Sequence, residues 1–107
     1  MPTTKKKDPH YTAGQSLLEF IDHSPTPFHA VAEIAKILEK HDFTRLDETA
    51  SWDLSPGEKY YVSRNDTALV AFVLGSKPPE TAGFKIIGAH TDSPNLRLKP
   101  NPAYDKN

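Results

Sequence analysis

The hydrophobic period of this chain switches just after His41, and a chain with such a switch is neither all-helical nor all-sheet. Phe28, Val31, Ala35 and Leu38 recur at helical spacing, and Ala32, Ile34 and Ile37 broaden the stripe. Glu33, Lys36, Glu39 and Lys40 mark the solvent side. Thr26 is placed to cap this helix and Pro27 to open it, because the first helical position has no use for a backbone N–H. Ahead of it, Thr12 with Gln15 reads as a capping box for a shorter helix carrying Leu17, Leu18, Phe20 and Ile21. Pro25 and Pro27 stop that helix, since a residue before proline is pushed out of the helical region.

Beyond the switch the pattern is β-like. Phe43 to Leu46 reads as a short strand, and Ser55-Pro56-Gly57 as a turn. Lys59 to Arg64 and Ala68 to Leu74 form two further runs, joined by Asn65-Asp66-Thr67 as a hairpin with a short polar loop. Val70, Phe72 and Leu74 fall on one face and Leu69, Ala71 and Val73 on the other, which predicts a central strand buried on both sides. Gly75 through Gly83 reads as a surface loop, and Phe84 to Ala89 as another buried strand. From Pro94 onward apolar and basic residues alternate and then dissolve into prolines, as in a strand leaving this layer. The expected architecture is α/β, with helices packed on a mixed sheet.

Bulk properties exclude several function classes. The chain has 107 residues, enough for one small domain, and its apolar content of 36% predicts a modest core. A net charge of -1 creates no field that would attract nucleic acid or an anionic membrane. Lys5, Lys6 and Lys7 form a local basic run followed at once by Asp8 and Pro9, which fits a solvated terminus; residues 1–11 read as a disordered tail. There is no cysteine, so disulfides and thiolate metal sites are excluded. With no apolar run of membrane-spanning length and no secretory signal, the expected location is cytoplasmic.

The chemistry concentrates in Gly88-Ala89-His90-Thr91-Asp92-Ser93-Pro94, where a strand is expected to run into a loop. Side chains alternate along an extended segment, so His90 and Asp92 point to the same side and can act on one spot. A neutral imidazole is a metal ligand, and a nearby anion fixes its tautomer and orientation. The end of a strand is also where open α/β sheets bind ligands. Two readings of the pair stand at this point: a metal or acid–base site, or a turn, since Asp, Ser and Pro all favour turns. The remaining histidines have bland explanations. His10 lies in the tail, His23 and His41 at helix ends, and His29 in a first turn without an acidic neighbour at ligand spacing. Trp52 is expected to pack over the sheet edge, and Arg64-Asn65-Asp66 to serve the hairpin. No phosphate-cradling loop or serine-nucleophile motif is present.

Four segments in series resemble the aspartyl aminopeptidases, dinuclear zinc exopeptidases of the cytosol. They are Phe20 to Val31, with its Asp-His-Ser-Pro-Thr-Pro-Phe-His core; Trp52 to Tyr61; Ser63-Arg64-Asn65 followed by Leu69 to Phe72; and Phe84 to Pro94, continuing through Leu96-Arg97-Leu98-Lys99-Pro100. Together they span nearly everything from Gln15 to Pro102. The resemblance implies that residues 12–98 are the N-terminal part of a zinc-peptidase α/β domain. It makes 99–107 the start of a junction to an inserted β-rich domain beyond the chain end. It implies release of N-terminal Asp or Glu from peptides, two Zn2+ ions per complete site, and a large homo-oligomer. His90 matches the first zinc ligand, and Asp92 the active-site carboxylate that holds that imidazole.

The bridging carboxylate, the Glu-Glu pair and the other ligands of such a site have no counterpart here. A catalytic zinc takes three protein ligands plus water, so this segment is expected to be silent and poorly stable alone, as part of a longer or separately completed chain. The alternative is a noncatalytic α/β interaction module that offers the Phe28 to Leu38 stripe to a partner and uses His90 and Asp92 as turn residues.

Overall fold

Thr26 opens the helix that organises the fold. In the computed structural model, which describes residues 8–101 and 103, α1 spans Pro9–Asp22 and α2 spans Pro27–Lys40. The Thr26 hydroxyl accepts from the His29 amide, and Pro27 occupies the first turn, as the sequence predicts. The other end of α2 is closed by a Schellman turn. Asp42 adopts φ 66°, its amide donates to Glu39 O, and the Phe43 amide reaches back to Leu38 O. That turn aims the chain straight into β1 (Thr44–Arg45).

The first helix begins earlier than its sequence suggests. Asp8, not Thr12, is the N-cap, accepting from the His10 amide at 3.0 Å, with Pro9 at the first helical position. Aspartate followed by proline supplies both N-terminal signals at once. Thr12 therefore lies inside the helix, its amide bonded to Asp8 O, and Gln15 bonds the Tyr11 hydroxyl instead of closing a box. The tail expected over 1–11 is thus helical from residue 9, and its first seven residues lie outside those described.

Three strands follow in the order β1-β2-β3, with β2 at Lys59–Arg64 and β3 at Ala68–Val73. β1 runs parallel to β2, pairing Thr44 with Tyr60 and Arg45 with Tyr61. β2 and β3 form the expected hairpin, in register from Lys59↔Val73 to Arg64↔Ala68. The sheet is mixed and carries helices, as expected. Its centre is β2, however, and not the run from Ala68 to Leu74. β3 is an edge strand among the described residues, with Val70 62% and Val73 59% exposed. Both-faced apolar character marks a strand that requires neighbours; it does not supply them.

The same reason governs two further corrections. Phe84 to Ala89 forms no strand and is not buried; Ile86 and Ile87 are 85% and 100% exposed. No segment among the described residues offers it a ladder, and an unpaired strand has no hydrogen bonds to hold it. The alternating stretch after Pro94 is likewise extended, with Leu96 and Leu98 bare. The loop before it contains one short helix the sequence did not reveal, α3 (Pro79–Ala82).

The core lies on both faces of β2. On one face Tyr61 is fully buried beneath α2, close to Val31, and its hydroxyl donates to Glu39 at 2.5 Å. On the other, Tyr60 stacks at a tilt on Phe72, with centroids 5.7 Å apart, and Trp52 meets Phe72 at 6.3 Å. The indole N–H donates to Asp47 O at 2.7 Å, and the Tyr60 hydroxyl accepts from the Ser55 amide. These two bonds pin the connection between β1 and β2 over the sheet. Trp52 thus packs where the sequence placed it.

Burial, reinforced by the Glu39 carboxylate, raises the Tyr61 phenol above its ordinary value near 10. A phenol harder to ionise in the folded state stabilises that state fully below pH 10 and loses the contribution as pH rises through its native value. Tyr61→Phe should cost about 1–2 kcal/mol at neutral pH, and the variant's unfolding free energy should fall less above pH 10 than the parent's, measured by urea denaturation across pH.

Candidate functional site

His90 and Asp92 sit beyond the segment expected as a strand, in irregular chain that bends at Thr91. A bend, and not the alternation of a strand, carries the two side chains here. Both side chains project outward, 78% and 81% exposed, and on the same side: His90 Nδ1 lies 3.5 Å from the Asp92 carboxylate. A shorter contact, 2.6 Å, joins Nδ1 to the backbone carbonyl of Asp92. With two acceptor oxygens on the Nδ1 side, the neutral imidazole carries its proton at Nδ1, which leaves Nε2 as the nitrogen with the lone pair. A metal ligand needs that tautomer. The donor chemistry therefore fits one imidazole ligand with its orienting oxygen.

Among the described residues, no three His, Cys, Asp or Glu side chains come together as a metal-binding group. The other histidines are occupied locally or at helix ends. His29 Nδ1 meets the Thr26 hydroxyl at 2.7 Å, and His41 Nδ1 meets Ile37 O at 2.8 Å in the last turn of α2. His23 is the C-cap residue of α1. An open hollow of about 480 Å³ lies elsewhere, over Trp52, Val62, Val70 and Phe72, with Glu48 and Arg64 also lining it. Its wall is apolar sheet surface and includes neither His90 nor Asp92.

The hairpin next to the site is built as its sequence requires. Asn65 and Asp66 take φ of 51° and 52°, and the Thr67 amide closes on Arg64 O at 3.2 Å. Asn and Asp tolerate the left-handed region better than other non-glycine residues. Arg64 pairs with Glu48, and Arg45 lies 3.8 Å from Asp66. Thr91, between the two candidate site residues, donates its hydroxyl to Thr67 O at 2.8 Å. The sequence reading passed over this residue.

The family described as Aminopeptidase I zinc metalloprotease (M18) matches residues 20–107. A probable M18 family aminopeptidase 2 from Pseudomonas aeruginosa PAO1 is 50% identical over 93 residues, which are 87% of this chain and 22% of that protein. Its counterpart in Clostridium novyi is 56% identical over 86 residues, covering 80% of this chain and 20% of the relative. Among solved structures, the complex of Ape4 and Nbr1 superposes with a TM-score of 0.81 at 42% identity, over 85% of this chain and 18% of that one. Yeast aminopeptidase 1 (Ape1) gives 0.55 at 40% identity, over 60% and 15%.

Helices on a mixed sheet thus place this segment in a zinc metalloprotease class. The chain belongs to the M18 aminopeptidase family. It spans about a fifth of the length of the curated relatives it matches.

Because the turn holds the hairpin carbonyl that Thr91 bonds, its backbone strain is testable. Asn65→Val should lower stability by about 1–2 kcal/mol, since a β-branched residue resists positive φ, whereas Asn65→Gly should be neutral or stabilising in urea unfolding.

Proposed function

We propose that this chain carries the first part of the active site of a zinc aminopeptidase that releases N-terminal Asp or Glu from peptides. His90 is a zinc ligand through Nε2, and Asp92 holds its ring. The observation that carries this reading is the oxygen pair at Nδ1, 2.6 Å and 3.5 Å away, which leaves Nε2 free in a chain of a zinc metalloprotease family. The carboxylate also makes the imidazole a better donor, and its negative charge favours a cation at the far nitrogen. In a complete site two zinc ions would supply Lewis-acid polarisation of the scissile carbonyl and an acidified water. Within this chain, His90 binds and Asp92 orients. Three protein ligands per catalytic zinc are usual, so the other ligands and the general base come from chain that continues the fold.

A dodecamer is recorded for the S. cerevisiae relative mApe1, which supports self-association of the complete protein into a large homo-oligomer. No helix of the described residues is long and apolar enough to cross a membrane, which is compatible with a cytoplasmic enzyme. The rival reading of the Phe28 to Leu38 stripe as a partner surface meets a specific obstacle. Val31 is 3% exposed, so part of that stripe is already covered within this fold, while Phe28 and Ile37 stay 54% and 48% exposed.

The test is made in the full-length polypeptide. His90→Ala should remove zinc and abolish hydrolysis, whereas Asp92→Asn should retain more metal while turnover falls about 10–100-fold. Peptides beginning with Asp or Glu should be cleaved in preference to those beginning with Leu or Ala. Full zinc content in His90→Ala, by metal analysis, would remove the ligand assignment; equal cleavage of neutral peptides would remove the specificity.

A further inference from the structure

Every described residue from Gly75 to Asn101 is exposed, with one exception, Thr91. Its hydroxyl reaches 24 residues back to the Thr67 carbonyl, at 2.8 Å in a partly buried contact. Thr67 is not a loose acceptor. Its own amide is bonded to Arg64 O at 3.2 Å, and the turn it closes is braced by Asn65 and Asp66 in left-handed geometry. The Ser63 hydroxyl adds a contact to Asp66 at 3.4 Å. An otherwise exposed segment is therefore fastened to the sheet through the residue between His90 and Asp92. Both neighbours of Thr91 are exposed.

We propose that Thr91 is a positioning residue for the metal centre. Its hydroxyl docks the His-Thr-Asp turn onto the β2–β3 hairpin and so fixes where His90 Nε2 points. This rests on the reading of His90 as a ligand, and the experiment separates the two. A ligand held in place binds without first being ordered, and removal of the groups that orient a ligand typically costs 10–100-fold in metal affinity. Thr91→Val keeps the shape and removes the donor; Thr91→Ser keeps the donor and removes the methyl.

In the full-length protein, zinc affinity is measured by competition with a chromophoric chelator, and amide hydrogen exchange over residues 88–94 is followed in the zinc-free state. Thr91→Val should bind zinc about tenfold more weakly and exchange faster in that window, and Thr91→Ser should behave as the parent does. If Thr91→Val does not fold, Thr91→Ala is read in the same two assays. Parental zinc affinity in the hydroxyl-free variant, beside a His90→Ala control that has lost zinc, overturns the proposal. Equal impairment of the serine and valine variants also overturns it, because the methyl and not the hydroxyl would then matter. Zinc retained by the His90→Ala control sinks the ligand reading instead.

Discussion

The phenol of Tyr61, sealed under α2 and bonded to Glu39, is the joint on which this structure turns. Among the described residues β2 is the one strand with a neighbour on each side, and Tyr61 is its single fully buried large side chain. The bond ties the last full turn of α2 to the middle of the sheet. From there the Schellman turn at Asp42 delivers β1 to one side of β2, and the hairpin delivers β3 to the other. Lys59 completes the brace: its ammonium donates to His41 O at 3.2 Å and lies over the Phe43 ring. Helix, turn and strand are therefore mutually fixed by a few side chains, with four buried apolar residues, Ala30, Val31, Tyr60 and Tyr61, among the described residues.

The site depends on the same scaffold at one remove. β2 and β3 position the turn at Asn65 and Asp66, the turn presents a carbonyl, and Thr91 hangs from it. His90 is thereby placed by strands that precede it by some twenty residues, not by the apolar run that leads directly into it. That run is unpaired here. The turn that carries the imidazole is attached at one point, the Thr91 hydroxyl.

The sequence disclosed what local chemistry decides. Thr26 with Pro27 announced a helix start, the stripe from Phe28 announced the helix and included its buried Val31 but not its buried Ala30, and Asn65-Asp66-Thr67 announced the hairpin, because each signal acts on its own backbone. That His90 and Asp92 meet on one side was also read from the sequence, although a bend at Thr91 and not an extended strand brings them together. Strand position was not. Ala68 to Val73 and Phe84 to Ala89 carry the composition of buried strands, yet burial belongs to the neighbours, and a sequence names none of them. Asp8 was missed because Thr12 and Gln15 offered a plausible pattern four residues too late. The Thr91 bond was missed because a hydroxyl gives no sign of a carbonyl 24 residues away.

Phe84-Lys85-Ile86-Ile87 remains bare whenever nothing pairs with it. Such a segment is β-prone and apolar, and left unpaired it is an aggregation hazard. Its Lys85, with Lys77 upstream, supplies charge of the kind that discourages like strands from stacking. Biosynthesis of a protein built on this segment is thus a race, in which productive pairing of four residues has to outrun their adhesion to other nascent chains.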